Sequence, residues 1–215
     1  MKTKVLSLLL ASVMLTVTGC HAEEQESQKP QTPPTETPEN PGTPEEPSEP
    51  IADGKALVVY FSHTGNTRTI AGYVHEMVEG SDIVELETVD AYTDDYDTLL
   101  AQVREEVANG YRPPLATQIA DLPSYDIVFV VYPIWVETAA PPIRTFLTTH
   151  DLSGKTVIPF CTSGTSSAEA SFRLVRSLCP NSTVLEGIQI RRGTYDTARE
   201  RVAEWLQQTG IVKTE

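Results

Sequence analysis

From Lys55 onward the apolar residues alternate between two spacings. Short runs rich in β-branched and aromatic residues predict strands at Ala56 to Phe61, Asp82 to Glu87, Asp126 to Tyr132, Thr156 to Cys161 and Thr183 to Ile190. Helical spacing predicts helices near Thr67 to Val78, Asp95 to Asn109, Pro141 to Thr149, Ser167 to Leu178 and Thr194 to Gln208. Leu57-Val58-Val59-Tyr60-Phe61 and Ile127-Val128-Phe129-Val130-Val131 are apolar almost without a break, as strands covered by helices on both faces must be, so they are expected to be central. Strict strand–helix alternation is the pattern of βαβ units and predicts an α/β fold, a three-layer α/β/α sandwich around a parallel sheet. In such sheets ligands sit beyond the carboxyl ends of the strands where the winding reverses, so the loops after the first, third and fourth strands are the places to seek chemistry.

The residues before Lys55 follow neither spacing. Residues 1–20 hold Lys2 and Lys4, an apolar stretch from Val5 to Leu15, and the ending Val17-Thr18-Gly19-Cys20. A cationic start, a short apolar core and small residues at a cleavage point read as an export signal, too short for a secure membrane-spanning helix. The ending resembles the lipobox of bacterial lipoproteins, which implies lipidation at Cys20 and attachment to the outer face of the cell membrane through acyl chains. Residues 21–54 carry nine carboxylates, the single Lys29 and eight of the 16 prolines. That composition predicts a disordered, extended linker reaching roughly 100 Å at about 3.1 Å per residue. Residues 55–215 form the remaining domain, long enough to bury one sizeable core.

Charge then narrows the partners. The 215 residues carry 30 acidic and 16 basic side chains for a formal charge of −14, of which −8 belongs to residues 55–215. An acidic body lacks the cationic face that neutralises phosphates, which excludes nucleic acid as a partner.

Three loops carry candidate chemistry. After the first strand, Ser62-His63-Thr64-Gly65-Asn66-Thr67 sets three hydroxyls around one glycine at the start of a helix. Free N–H groups and the positive end of a helix dipole suit an anionic phosphate there. The loop has no lysine of the Gly-Lys-Ser/Thr kind, which disfavours a nucleoside triphosphate with magnesium and favours a monophosphate. His63 within it reads either as a contact to the ligand or, preferred, as a solvent-facing side chain. After the third strand, Pro133-Ile134-Trp135-Val136 places a large aromatic where it can stack on a flat ligand. After the fourth, Thr162-Ser163-Gly164 offers backbone N–H groups to the polar edge of a ring, although a helix-capping loop has the same composition.

Taken together, residues 55–210 resemble the flavodoxin family. Tyr60 to Thr67 is similar to its phosphate loop, Tyr132 to Trp135 and Ala140 to Leu147 to the second flavin loop of a bacterial subgroup, and Tyr92 to Pro114 to that subgroup's second crossover. The resemblance implies a flavodoxin-like five-stranded parallel sheet in the order 2-1-3-4-5 and FMN as cofactor. It implies cofactor contacts from Ser62, His63, Thr64, Gly65, Asn66, Thr67, Pro133, Ile134, Trp135, Val136, Thr162, Ser163 and Gly164. The partners would then be FMN, an unidentified redox donor and acceptor, and the membrane through the lipid anchor. One departure stands out: relatives commonly carry a second aromatic and a glycine after this Trp, whereas this chain has Val136 and Glu137, for which a positive φ is costlier.

An exported FMN-binding electron carrier is the reading these features favour. An FMN-dependent NAD(P)H:quinone or small-acceptor oxidoreductase and a nonredox flavin-binding module stay open beside it. No histidine pair shows metal-ligand spacing, and no Gly-x-Ser-x-Gly hydrolase elbow is present. Cys161 and Cys179 are expected as free thiols: they lie at the two ends of one strand-to-helix unit, too far apart for a disulfide.

Overall fold

The computed structural model describes residues 54–212; the expected export signal, the lipidation site Cys20 and the acidic linker lie outside the described residues. Seven strands and five helices follow in the order β1 (Ala56–Tyr60), α1 (Asn66–Met77), β2 (Asp82–Glu85), α2 (Tyr96–Asn109), β3 (Ile127–Trp135), β4 (Thr138–Ala139), α3 (Pro141–Thr149), β5 (Thr156–Ser163), α4 (Glu169–Leu178), β6 (Thr183–Val184), β7 (Ile188–Arg191) and α5 (Ala198–Gln208). A short 3-10 turn at Leu122–Ser124 precedes β3.

The sheet runs β2-β1-β3-β5-β6, with β7 also paired to β5, and every one of these pairings is parallel. This is the expected winding 2-1-3-4-5, with the fifth position occupied by β6 and β7 in turn. Alternation along the buried strands divides the core. Leu57, Val59, Val128 and Val130 face α3 and α4 through Ile143, Phe146 and Val175. Val58, Phe129, Val131 and Phe160 face α1 and α5 through Ile70, Val74, Val202 and Leu206. Side chains alternate across a strand, so two nearly all-apolar strands serve two helical layers at once.

Two departures from five simple strands have local causes. The fifth strand is interrupted opposite Pro159. Lys155 and Val157 accept from Thr183 and Leu185 through their carbonyls, so Pro159, two residues further along, presents its missing N–H to the same neighbour. The ladder cannot continue there, and it resumes where Ile188 pairs with Phe160. At the gap Gly187 comes so close that a Cβ on it would lie 1.6 Å from the Pro159 carbonyl oxygen. The second departure is β4, which pairs antiparallel with the overrun of β3 through Ile134↔Ala139 and Trp135↔Thr138. What the sequence presents as a loop is therefore a two-residue hairpin.

After β2 the chain turns back along its own edge. Val89 and Ala116 donate to Pro114 and Glu87, and Thr88 bridges Leu115. This covers the exposed rim of the edge strand and carries the Asp90 to Asp95 segment over the carboxyl end of β1. Among the described residues no helix is long and apolar enough to cross a membrane.

Candidate functional site

The loop after β1 folds as a cradle at the start of α1. Gly65 caps α1 at φ 90°, a conformation open to glycine at little cost, and a Cβ there would meet nothing within 4 Å. Nothing therefore crowds the backbone at Gly65 itself. The Gly65 amide donates to Ser62 Oγ at 3.2 Å and the Asn66 side-chain amide to Thr64 Oγ1 at 3.3 Å. Thr64 and Asn66 are exposed and Ser62 half-buried, so these polar groups remain within reach of a ligand, as do the helix amides that lack intrahelical acceptors.

Thr67 has a different part. It is buried, and its hydroxyl shares a 2.8 Å hydrogen bond with that of Thr162. The first and third loops, distant in sequence, are bolted together through these two side chains. Ser163 is likewise buried, donating to the Ser166 carbonyl and accepting from the Gln189 amide of β7 at 2.7 Å. Thr162 and Ser163 thus shape the third loop, while Gly164 stands exposed at its tip. Ile134 points into the core, and the Pro133 carbonyl accepts from Ala140. The residue of the second loop whose side chain meets the other loops is Trp135, while Val136 lies at the hairpin turn.

That turn carries backbone strain. Val136 and Glu137 adopt φ 46° and φ 60°, the left-handed values that both central residues of a type I′ hairpin require. Each costs a non-glycine residue roughly 1–2 kcal/mol, and a β-branched side chain more. Closure of the hairpin overrides the local preference. The Glu137 carboxylate accepts from Ser166 Oγ at 2.8 Å, tying the second loop to the third, so its negative charge sits at the junction of two loops that border the cleft.

Sequence reasoning missed a fourth wall. Trp135 meets Phe61 edge-on at 5.3 Å and Tyr92 at 5.1 Å between ring centroids. Tyr92 comes from the crossover between β2 and α2, and its hydroxyl donates to Glu106 at 2.7 Å, whose other oxygen accepts from Gln102. Burial first, and then the carboxylate beside it, pushes the Tyr92 phenol up, so it stays a neutral donor that fixes the ring. The clue in the sequence is the pairing of an isolated Tyr with a Glu on the inner face of the next helix, which local spacing cannot link. His63 also differs from its expected solvent-facing position. Its side chain is only 16% exposed and lies within 3.7 Å of Asp94. Asp90, Asp94 and Asp95 lie in the crossover that carries Tyr92 to the cleft, so this wall is acidic.

The thiols are set apart from this chemistry. Cys161 and Cys179 are both free and buried. Burial pushes the Cys161 thiol up to about 12 and the Cys179 thiol up to about 11. An unfolded thiol ionises near 8.5, so between these values the native state holds protons that the unfolded chain releases, and stability falls as pH rises through that window. At pH 8, iodoacetamide is expected to leave both thiols unmodified in the native protein and to alkylate both in urea, read by peptide mapping; native-state labelling of Cys161 would contradict its burial. Among the described residues no group of His, Cys, Asp and Glu is arranged to hold a metal ion.

The profile of the flavodoxin family matches residues 55–209. Among solved structures, a candidate flavoprotein from Bacteroides eggerthii is 32% identical over 72% of this chain and 96% of its own, with a TM-score of 0.64. A second, from Bacteroides uniformis, is 32% identical over 70% of this chain and 98% of its own, with a TM-score of 0.62. A flavoprotein from Lactobacillus acidophilus, solved in complex with FMN, shares the fold at 19% identity and a TM-score of 0.60, covering 72% of this chain and 99% of its own. No curated protein matches this chain.

Proposed function

The chain belongs to the flavodoxin family, and we propose that it is an exported, lipid-anchored electron carrier whose cleft holds FMN. The observation that carries this reading is the convergence of the open Gly65 cradle with Trp135 at the carboxyl ends of the adjacent strands β1 and β3. The donor set fits the group. Free amides at the start of α1, with Ser62, Thr64 and Asn66, suit the phosphate, and Trp135 presents an aromatic surface to a flat ring. When bound, FMN supplies one- or two-electron transfer.

The chain's own residues then bind, orient and shield. Thr67 and Thr162 hold two of the loops in register, Tyr92 fixes the Trp135 ring, and Phe61 closes the floor behind it. The Glu137 carboxylate disfavours further negative charge nearby and so favours the oxidised form of a bound flavin. The acidic crossover around Tyr92 and Asp94, beside Trp135, suits docking of a basic redox partner. Lipidation at Cys20 would attach the chain to the membrane, with residues 21–54 joining that anchor to the domain.

The purified protein is expected to take up FMN stoichiometrically and to be bleached reversibly by dithionite in an anaerobic titration. Failure to bind FMN would sink the carrier and reductase readings together. Rapid NAD(P)H-dependent turnover of a quinone would instead assign an oxidoreductase.

A further inference from the structure

The FMN reading uses the hairpin between β3 and β4 only as the place where Trp135 stands. It does not explain how a turn with positive φ at both Val136 and Glu137 keeps one conformation. Left-handed non-glycine residues persist where their surroundings over-determine them. Two sets of contacts do so here. Pairing of Ile134 with Ala139 and of Trp135 with Thr138 closes the turn from the strand side. From the other side, the Glu137 carboxylate accepts from Ser166 Oγ at 2.8 Å. Trp135 and Thr138 flank the turn directly, so relaxation of Val136 and Glu137 would carry the Trp135 ring with it.

Ser166 is a firm post for this bond. Its carbonyl accepts from Ser163 Oγ at 3.1 Å and from the Gln189 side-chain amide at 2.6 Å. The same amide nitrogen donates to Ser163 Oγ at 2.7 Å, while the Gln189 side-chain oxygen accepts from Arg191 at 3.4 Å. Gln189 is itself fixed opposite Cys161 in the pairing of β5 with β7. A continuous path of polar contacts therefore runs from the sheet through Gln189, Ser166 and Glu137 to the turn. Trp135 reaches the other way, onto Phe61 and Tyr92. The hairpin is thus held at two points, by a ring on one side and a carboxylate on the other.

We propose that Glu137 and Ser166, backed by Gln189, are positioning residues for Trp135: their hydrogen bond latches the strained hairpin and sets how long a stacked flavin stays bound. The effect on the ligand rests on the FMN reading; the hold on Trp135 does not. Glu137→Gln keeps an oxygen that can accept from Ser166 and so keeps the latch. Glu137→Ala and Ser166→Ala each break it, and once it is broken the second substitution has nothing further to remove.

The test uses the full chain carrying Trp205→Phe, which leaves Trp135 as the only tryptophan. In the ligand-free protein, acrylamide is expected to quench Trp135 more strongly in Glu137→Ala and Ser166→Ala than in the parent. FMN should leave both variants about threefold to tenfold faster, the range that one hydrogen bond commonly contributes. The double variant should match either single one, and Glu137→Gln should recover most of the parent behaviour. Glu137 is exposed and its bond to Ser166 lies at the surface, so urea midpoints should move little, which separates a positioning role from general destabilisation. If Ser166→Ala matches the parent in both quenching and FMN release, this proposal fails and the FMN reading stands. Additive effects of the two alanines, or a Glu137→Gln no better than Glu137→Ala, would also overturn it, because the shared bond would then not be the cause. If the parent binds no FMN, the reading of the cleft falls, and the ligand-free quenching alone decides whether the latch holds Trp135.

Discussion

Alanine at position 187 is expected to cost the protein about 3 kcal/mol or more, enough to threaten folding altogether. Overpacking usually costs 1–3 kcal/mol because neighbours shift aside, but here the added Cβ would lie 1.6 Å from a backbone oxygen, that of Pro159 in the central strand β5. Either β5 or the segment joining β6 to β7 must move. Moving the latter pulls β7 and α5 from the sheet and uncovers Ile190, Val202 and Leu206, all fully buried. With a whole-domain stability of about 5–15 kcal/mol, such a loss shows directly in urea unfolding. The consequence reaches the site, because Gln189 on β7 holds Ser163 and Ser166 of the third loop, so flavin affinity should fall along with stability. A Gly187→Ala variant with an unchanged urea midpoint would show that this approach is not as close as described.

Trp135→Ala should weaken FMN binding about tenfold to a hundredfold while leaving the fold in place. Removing one aromatic platform from a stacked ring typically costs about 1–3 kcal/mol, and 1.4 kcal/mol is a tenfold change in affinity. The side chain is half-buried at the edge of the core: it packs on buried Phe61, while Tyr92 and His63 beside it are only part-buried. The loss should therefore appear mainly as binding. Trp135→Phe keeps an aromatic face and should recover most of the affinity. Flavin titration of the three proteins by fluorescence is the measurement, and equal dissociation constants for wild type and Trp135→Ala would remove Trp135 from the site.

Much of the fold is legible in the chain because its periodicities are local. Leu57 to Phe61 and Ile127 to Val131 declare central strands by leaving almost no polar face, and Ser62 to Thr67 declares a helix start by setting hydroxyls and one glycine ahead of it. Elsewhere local reading gives the residue but not its task. Thr67 and Thr162 look like ligand donors, yet they are buried and hydrogen-bonded to each other, which leaves one hydroxyl proton between the two. Val136 and Glu137 look unsuited to positive φ, yet they form the hairpin turn, because the pairs on either side and the Ser166 hydroxyl hold them there.

The sequence by itself determined the layered α/β class, the central strands and the glycine turn that opens α1, since each depends on residues that are neighbours in the chain. Tertiary structure alone decided that the fifth strand breaks where Pro159 meets Gly187, that Tyr92 and Asp94 reach the cleft from another crossover, and that His63 turns inward. Those outcomes depend on groups far apart in sequence competing for the same space and charge, and spacing along one strand or helix carries no record of what will stand opposite it.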